Sequence, residues 1–430
     1  MWGTGNFGQL GAGEDMLDEI SKPQRNKLVE QKIQEGAFGE PGAGLETIAA
    51  GGMFSLMLDE KGTIWSCGVN DDAALGRVTE QVPDPENEGK FLDVDTLTAH
   101  FWPLQSLVDE GFRATRIAAG DSIGAAISQD GDLRAWGSFR SVEGLLGFSG
   151  DSKHQFNPIS ILDIKSKPSD PEKFVSVAAG NNHLVVLTTH GHIYTWGAGE
   201  QGQLGRKVME RRKAHGMTPE KVVIGSRLRK AVYVGAGNYT SFAVDEKGDI
   251  WAWGLNNAGQ TGTGFRNASA DGEVQAPQLI DALSSKELGP DRVVQVAGGE
   301  HHTIFRTAAG KVYACGKSTG GQLGLPDDHP AFQDRDDDHK ELVETPTLVP
   351  FPDDDDPVVH IAAGVHNNLA ITEGGALFTW GTGPQNELGA QDEVELRTPH
   401  MVVRRTGGSW RAVTGSCGGQ HTIALMRKKE

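Results

Sequence analysis

Residues 179–205 decide the fold: Ala179-Gly180-Asn181-Asn182, then His183–Thr189, a His190-Gly191 turn, His192–Trp196, then Gly197-Ala198-Gly199-Glu200-Gln201-Gly202-Gln203-Leu204-Gly205. A small-residue step comes first. Two short runs of β-branched and aromatic residues follow, with a glycine turn between them, which predicts a hairpin. An aromatic-Gly pair (Trp196-Gly197) and a Gln-Leu-Gly block close the unit.

The same marks recur along the whole chain. Aromatic-Gly or its variant appears as Trp2-Gly3, Cys67-Gly68, Trp136-Gly137, Trp196-Gly197, Trp253-Gly254, Cys315-Gly316 and Trp380-Gly381. The glycines are spaced by 65, 69, 60, 57, 62 and 65 residues. Leu-Gly follows at Leu10-Gly11, Leu75-Gly76, Leu146-Gly147, Leu204-Gly205, Leu323-Gly324 and Leu388-Gly389; the fifth repeat replaces it with Gln260-Thr261-Gly262. The small step recurs as Ala50-Gly51-Gly52, Ala119-Gly120, Ala179-Gly180, Ala236-Gly237, Gly298-Gly299, Ala363-Gly364 and Gly418-Gly419. No helical period of 3.6 runs through these units.

Short antiparallel strands repeating about every 63 residues predict an all-β, seven-bladed β-propeller occupying residues 1–430 as one domain. The small step fits strands that crowd the ring axis, where only Ala or Gly allows close backbone approach. The last repeat stops after Thr422–Met426 without an aromatic-Gly, and the chain begins with one. The N-terminal strand is therefore expected to complete the last blade and remove two sheet edges. Met1 falls where that strand should already be under way, so residues upstream are expected. Nothing in the sequence suggests a fused domain beyond the ring.

Composition narrows the function. The 58 glycines of 430 residues are about twice the usual ~7% share, and the repeat accounts for the excess. A net charge of −18 makes the bulk surface a poor generic DNA binder, so DNA contact is expected to be weak or to come through a missing N-terminal tail. No apolar run is long enough for a membrane helix, and no signal peptide is visible. Cys67, Cys315 and Cys417 cannot form a disulfide framework, and an intracellular compartment is expected. No cofactor, no metal site and a monomer are expected.

Several patterns imitate chemistry found elsewhere. Gly3–Gly8 and Gly197–Gly202 match GxGxxG, but both lead into the Gln-Leu-Gly block rather than a helix, so neither predicts a dinucleotide site. Gly316-Lys317-Ser318-Thr319 lacks the first glycine of a phosphate loop. The acidic stretches Asp334–Asp338 and Asp353–Asp356 lack EF-hand spacing and read as solvated loops. No catalytic nucleophile stands out, and Cys67 and Cys315 sit in the aromatic slot as packing residues.

The two residues after each small step should meet around the axis on one face. They are Met53-Phe54, Asp121-Ser122, Asn181-Asn182, Asn238-Tyr239, Glu300-His301, Val365-His366 and Gln420-His421. In this alignment His301, His366 and His421 share a slot. Convergent loops at a propeller mouth suit a binding face.

The seven repeats resemble the regulator of chromosome condensation family over essentially the whole chain. Ala119-Gly120-Asp121-Ser122, Trp136-Gly137-Ser138-Phe139-Arg140 and Gly199–Arg206 carry the more specific likeness to its founding member, the exchange factor for the nuclear GTPase Ran. The resemblance implies a nuclear, chromatin-associated protein that exchanges GDP for GTP on Ran without covalent chemistry. It implies a wedge in the third blade at Phe139-Arg140-Ser141-Val142-Glu143-Gly144-Leu145-Leu146, and GTPase contacts from Asp121, Asn182, Arg206, His301 and His421, with His366 in the same slot. Asn182 and Asn6 stand where aspartate is expected, and Phe54 where histidine is. A basic insertion at 206–218 is implied to meet the acidic surface of nucleosomal histones through Arg211, Arg212 and Lys213. The main rival is a propeller that serves only as a scaffold. A light sensor of the same repeat family would need clustered tryptophans, and five of the nine here fill repeat slots.

Overall fold

Six four-stranded antiparallel sheets and one three-stranded sheet form the ring in the computed structural model, which describes residues 1–333, 341–353 and 355–429. One blade serves for all: Phe174–Ala179, His183–Thr188, Ile193–Gly197 and Glu220–Val222, in that order from the axis outward. The first strands of successive blades pack side by side in a closed circuit. They line an axial channel of about 400 Å³. The three-stranded sheet holds Trp410–Cys417, His421–Lys428 and Trp2–Gly3. Trp2 lies opposite Thr422 and Gly3 opposite His421, so the N-terminal strand closes the ring as expected. Ile20 bridges Gly3 on the outer side, where a fourth strand would lie.

The repeat marks are the joints between blades. Each aromatic-slot glycine has φ between +97° and +125°, a region open to glycine. A Cβ at Gly137 would stand 2.1 Å from the Ser122 carbonyl oxygen. The slot side chain reaches back to the Leu-Gly block of the preceding repeat. Trp136 Nε1 donates to Ala74 O, Trp253 Nε1 to Gln203 O, Trp380 Nε1 to Gln322 O and Trp2 Nε1 to Glu387 O. Cys67 and Cys315 make the weaker thiol version, to Gln9 O and Gln260 O. All five slot tryptophans are buried between blades, where each ring removes on the order of 200 Å² from water and contributes about 5 kcal/mol at most.

The small step is also a joint. A Cβ at Gly120 would stand 2.4 Å from Gly180 O, and one at Gly180 would stand 2.5 Å from Gly237 O. The second-to-third-strand turns are capped by their own side chains: Asp59 Oδ1 accepts from Lys61 and Thr63 N–H, and Asp245 Oδ1 from Lys247 and Asp249 N–H. No long helix of the described residues is apolar enough to cross a membrane.

Candidate functional site

The loops joining first to second and third to fourth strands leave every blade on the same face. The backbone fixes which residues correspond. The N–H groups of Gly51, Gly120, Gly180, Gly237, Gly299, Gly364 and Gly418 donate to the carbonyls of Phe54, Ile123, His183, Thr240, His302, Asn367 and His421. The residue after each glycine then forms an inner ring: Gly52, Asp121, Asn181, Asn238, Glu300, Val365 and Gly419. Its amides stitch blade to blade, as in Asp121 N–H to Asn181 O at 2.8 Å and Asn181 N–H to Asn238 O at 3.0 Å. An outer ring follows with Met53, Ser122, Asn182, Tyr239, His301, His366 and Gln420.

This register corrects the sequence alignment at two blades. Gly51 and Gly418, not Gly52 and Gly419, match the step glycines elsewhere. His421 therefore leaves the mouth. It is fully buried, and its Nε2 lies 2.8 Å from Ser55 Oγ in the next blade. His183 with Ser241 and His302 with Asn368 make the same link at 2.8 Å each. Phe54 occupies this buried slot too, so it takes no histidine's place on the face.

The mouth itself is acidic. Asp121 lies over Gly52, where a Cβ would stand 2.3 Å from its Oδ1. Burial pushes the Asp121 carboxyl up; Arg140 opposes this and Asp72 adds to it. Glu300 Oε2 sits 3.7 Å from His301 Nδ1 and 3.6 Å from His366 Nε2. Burial lowers the His301 pKa against the pull of Glu300, with Lys317 and His366 lowering it further. Burial raises the Tyr239 hydroxyl, and Glu300 and Asp121 act in the same direction.

Beside this ring a two-stranded hairpin rises, Phe139–Ser141 paired with Gly144–Gly147. It belongs to the third blade the chain enters, counting the blade of the N-terminal strand first. Its root is Phe139, fully buried and stacked on Phe148 with centroids 6.4 Å apart. Phe139 is thus an anchor, not the contact residue expected. Val142 at the tip is 77% exposed. Three ties hold the hairpin. The Arg140 N–H donates to Asn182 Oδ1 at 2.7 Å, the Arg140 guanidinium pairs with Asp72 at 2.5 Å, and the Val142 N–H donates to Glu200 Oε2 at 2.9 Å. Ser141 Oγ accepts from the Glu143 N–H and donates to Gly144 O, shaping the turn. Asp72 and Glu200 were not singled out from sequence.

The basic insertion does not stand free of this site. Arg206 is largely buried and donates to the carbonyls of Thr195, Gly216 and Thr218, so its guanidinium closes the base of the loop. That use leaves little of it for a GTPase. Lys213 lies within the 3₁₀ segment Glu210–Met217 and pairs with Glu143 and Glu200 at 3.0 Å each, which ties the loop to the hairpin. Lys213 is therefore not an unpaired basic contact. The side chains of Arg211 and Arg212 lie outside the described residues, as do residues 334–338 of the acidic stretch and Asp354.

A spacing betrays the hairpin. From the aromatic-slot glycine to the glycine of the next block is eight residues in six repeats, as in Gly197 to Gly205 and Gly254 to Gly262; in the third it is ten, Gly137 to Gly147. Leu145-Leu146-Gly147 has left the joint to become the second strand of the hairpin. Trp196, whose Nε1–H would have donated to that block, is buried with no partner for it among the described residues. Gln260-Thr261-Gly262, which looked aberrant in sequence, forms the ordinary joint through Gln260 O.

Comparison with known proteins agrees with this architecture. The model of the RCC1-like domain matches residues 1–424. A regulator of chromosome condensation from Xenopus laevis is 31% identical over 439 residues, covering 99% of this chain and 89% of the relative. The guanine nucleotide exchange factor SRM1 of Saccharomyces cerevisiae is 30% identical over 447 residues, covering 98% and 86%. The crystal structure of Prp20p from the same yeast, described with its binding properties to Gsp1p and histones, superposes with a TM-score of 0.82 at 28% identity, covering 100% of this chain and 91% of that one. With that match spanning nearly every repeat, this chain belongs to the RCC1-like family, the regulators of chromosome condensation.

Proposed function

We propose that this chain is a guanine nucleotide exchange factor for a Ran-type GTPase, acting in the nucleus while bound to chromatin. The observation that carries the reading is the hairpin with the exposed Val142 tip, held from three sides beside an acidic mouth. A GTPase concentrates positive groups around its nucleotide phosphates. Asp121, Glu300 and Glu143 offer carboxylates to the same kind of groups, and a net charge of −18 steers a basic partner toward them. Asp121 supplies the buried part of that charge and His301 and His366 the rim. The hairpin enters as a preformed body, so little ordering is needed on docking. Tighter binding to the empty GTPase than to the loaded one must, by linkage, weaken nucleotide affinity by the same factor. Excess GTP then refills the site, and no bond is made or broken by this protein.

Chromatin attachment is assigned to the 206–218 loop, with Arg211 and Arg212 pairing bidentately with histone carboxylates. The test is release of fluorescent GDP from purified Ran. Catalytic amounts of the chain should accelerate release, Asp121→Ala should slow it, and Gly-Ser replacement of 140–143 should slow it more than it weakens docking. No acceleration by the unmutated chain, with Ran still bound, would assign the molecule to the scaffold class. Nucleosome pull-down that survives Arg211→Ala with Arg212→Ala would refute the loop assignment.

A further inference from the structure

The face opposite the mouth carries the turns between second and third strands. In one blade that turn is Thr188-Thr189-His190-Gly191-His192, and the other five such turns contain no histidine. Glu172, from the segment entering the same blade, lies beneath it. We propose that Glu172, His190 and His192 form a binding site for a divalent transition-metal ion of the zinc type.

The ligand atoms of these three side chains all lie within 4.8 Å of one another. His192 Nδ1 is 2.6 Å from Glu172 Oε1, and His190 Nδ1 is 3.5 Å from Glu172 Oε2. Ligands of a tetrahedral zinc, at ~2.0–2.1 Å from the metal, stand roughly 3.3 Å apart, so the His192–Glu172 pair must open by less than an ångström and the widest pair, at no more than 4.8 Å, must close. A proton now bridges His192 and Glu172; the cation takes its place. The donor set of two imidazoles and one carboxylate favours zinc over the oxygen-seeking magnesium and calcium.

The surroundings add a second, independent feature. Asp170 Oδ1 lies 3.1 Å from His190 Nε2, the ring nitrogen on the far side from Glu172. A carboxylate accepting from the distal N–H fixes the tautomer that leaves Nδ1 free for a metal. Thr188 Oγ1 donates to Glu172 Oε1 and orients that carboxylate. The Glu172 side chain is only 8% exposed, whereas His190 and His192 are partly open to solvent, which leaves an entry path and a fourth position for water. Lys221 is the cation facing Glu172, and it lies over the Tyr194 ring at 5.6 Å rather than between the ligands. The ion would staple the long connection preceding Phe174 to the hairpin turn, far from the docking face.

Zinc chloride titrated calorimetrically into chelator-stripped protein should bind at one ion per chain. His190→Gln and His192→Gln should each weaken that binding at least tenfold, and zinc should raise the melting temperature of the unmutated chain alone. His301→Gln with His366→Gln, at the histidine-carboxylate group of the mouth, should leave it unchanged. Cobalt(II) bound to the unmutated chain gives a readout independent of any variant's folding. An intense four-coordinate spectrum supports the site and a weak six-coordinate one overturns it. Absence of stoichiometric zinc uptake, or uptake that survives both turn substitutions together, also overturns it.

Discussion

Asn182 offers the sharpest test of how the hairpin works, because it touches the hairpin through one bond. Its Oδ1 accepts the Arg140 N–H at 2.7 Å. A neutral hydrogen bond of this kind contributes about 0.5–1.5 kcal/mol net, so Asn182→Ala should shift the balance between ordered and disordered hairpin by roughly twofold to twelvefold. The fold should be untouched, since Phe139 stays buried and the ties to Asp72 and Glu200 remain. If the ordered hairpin is what docks, GDP release from Ran should slow, by up to that factor, with the melting temperature unchanged. Asn182→Asp keeps the oxygen and makes the bond charge-assisted, about twice as strong. Its rate should equal or exceed that of the unmutated chain. Equal rates for Asn182→Ala and the unmutated chain would refute the preordered hairpin. So would an Asn182→Asp variant as slow as Asn182→Ala, because then the carboxylate does not strengthen the tie to the hairpin.

Two further outcomes concern stability. Burial lowers the pKa of His183 and of His302 to about 4 and that of His421 to about 3. These folded values lie below the unfolded ~6.5, so the blade links are at full strength above pH 6.5 and are lost as pH falls toward 4, at a cost on the order of 2 kcal/mol per histidine at pH 5. Urea denaturation from pH 7 to 5 should show that loss, and His421→Gln should reduce its slope by one histidine's share. Trp196→Phe and Trp253→Phe remove similar buried volume, but only Trp253 donates its Nε1–H, to Gln203 O at 2.9 Å. Trp253→Phe should therefore be the more destabilising by about 1–3 kcal/mol; equal losses would mean that Trp196 has a partner after all.

The ring was legible in the sequence because its joints are made by side chains that few residue types can replace. A glycine at positive φ after the slot, glycine where first strands meet, and an indole that reaches a carbonyl in the preceding repeat all leave marks at fixed spacing. The mouth was read one residue out of register at two blades because Gly51-Gly52 and Gly418-Gly419 each offer two glycines for one step. Both positions tolerate the absence of a side chain, and only the amide of the first bonds across its loop to Phe54 or His421. That slip placed His421 beside His301 and His366. The structural use of Arg206 was missed for a different reason. A charge following Leu-Gly looks solvent-facing in sequence, yet the loop folds back and presents the Gly216 and Thr218 carbonyls to it beside that of Thr195 on the strand.

The hairpin stands where the repeat is spoiled. Ten residues instead of eight after Gly137 release a block that elsewhere locks two blades together, and the freed block becomes half of the hairpin. Trp196 keeps the place of a lock that no longer has a catch, an unsatisfied buried N–H of the kind native interiors rarely retain. The next blade supplies what the lost joint no longer does: Asn182 and Glu200 bind the hairpin backbone, and Lys213 pairs with both Glu143 and Glu200. The hairpin, its supports and the basic loop therefore form one connected unit across two adjacent blades. A ligand that pulls on the loop through Lys213 acts on the Glu200 carboxylate that holds Val142 at the tip, so the basic loop and the hairpin share a physical link through charges at the surface, where salt weakens it.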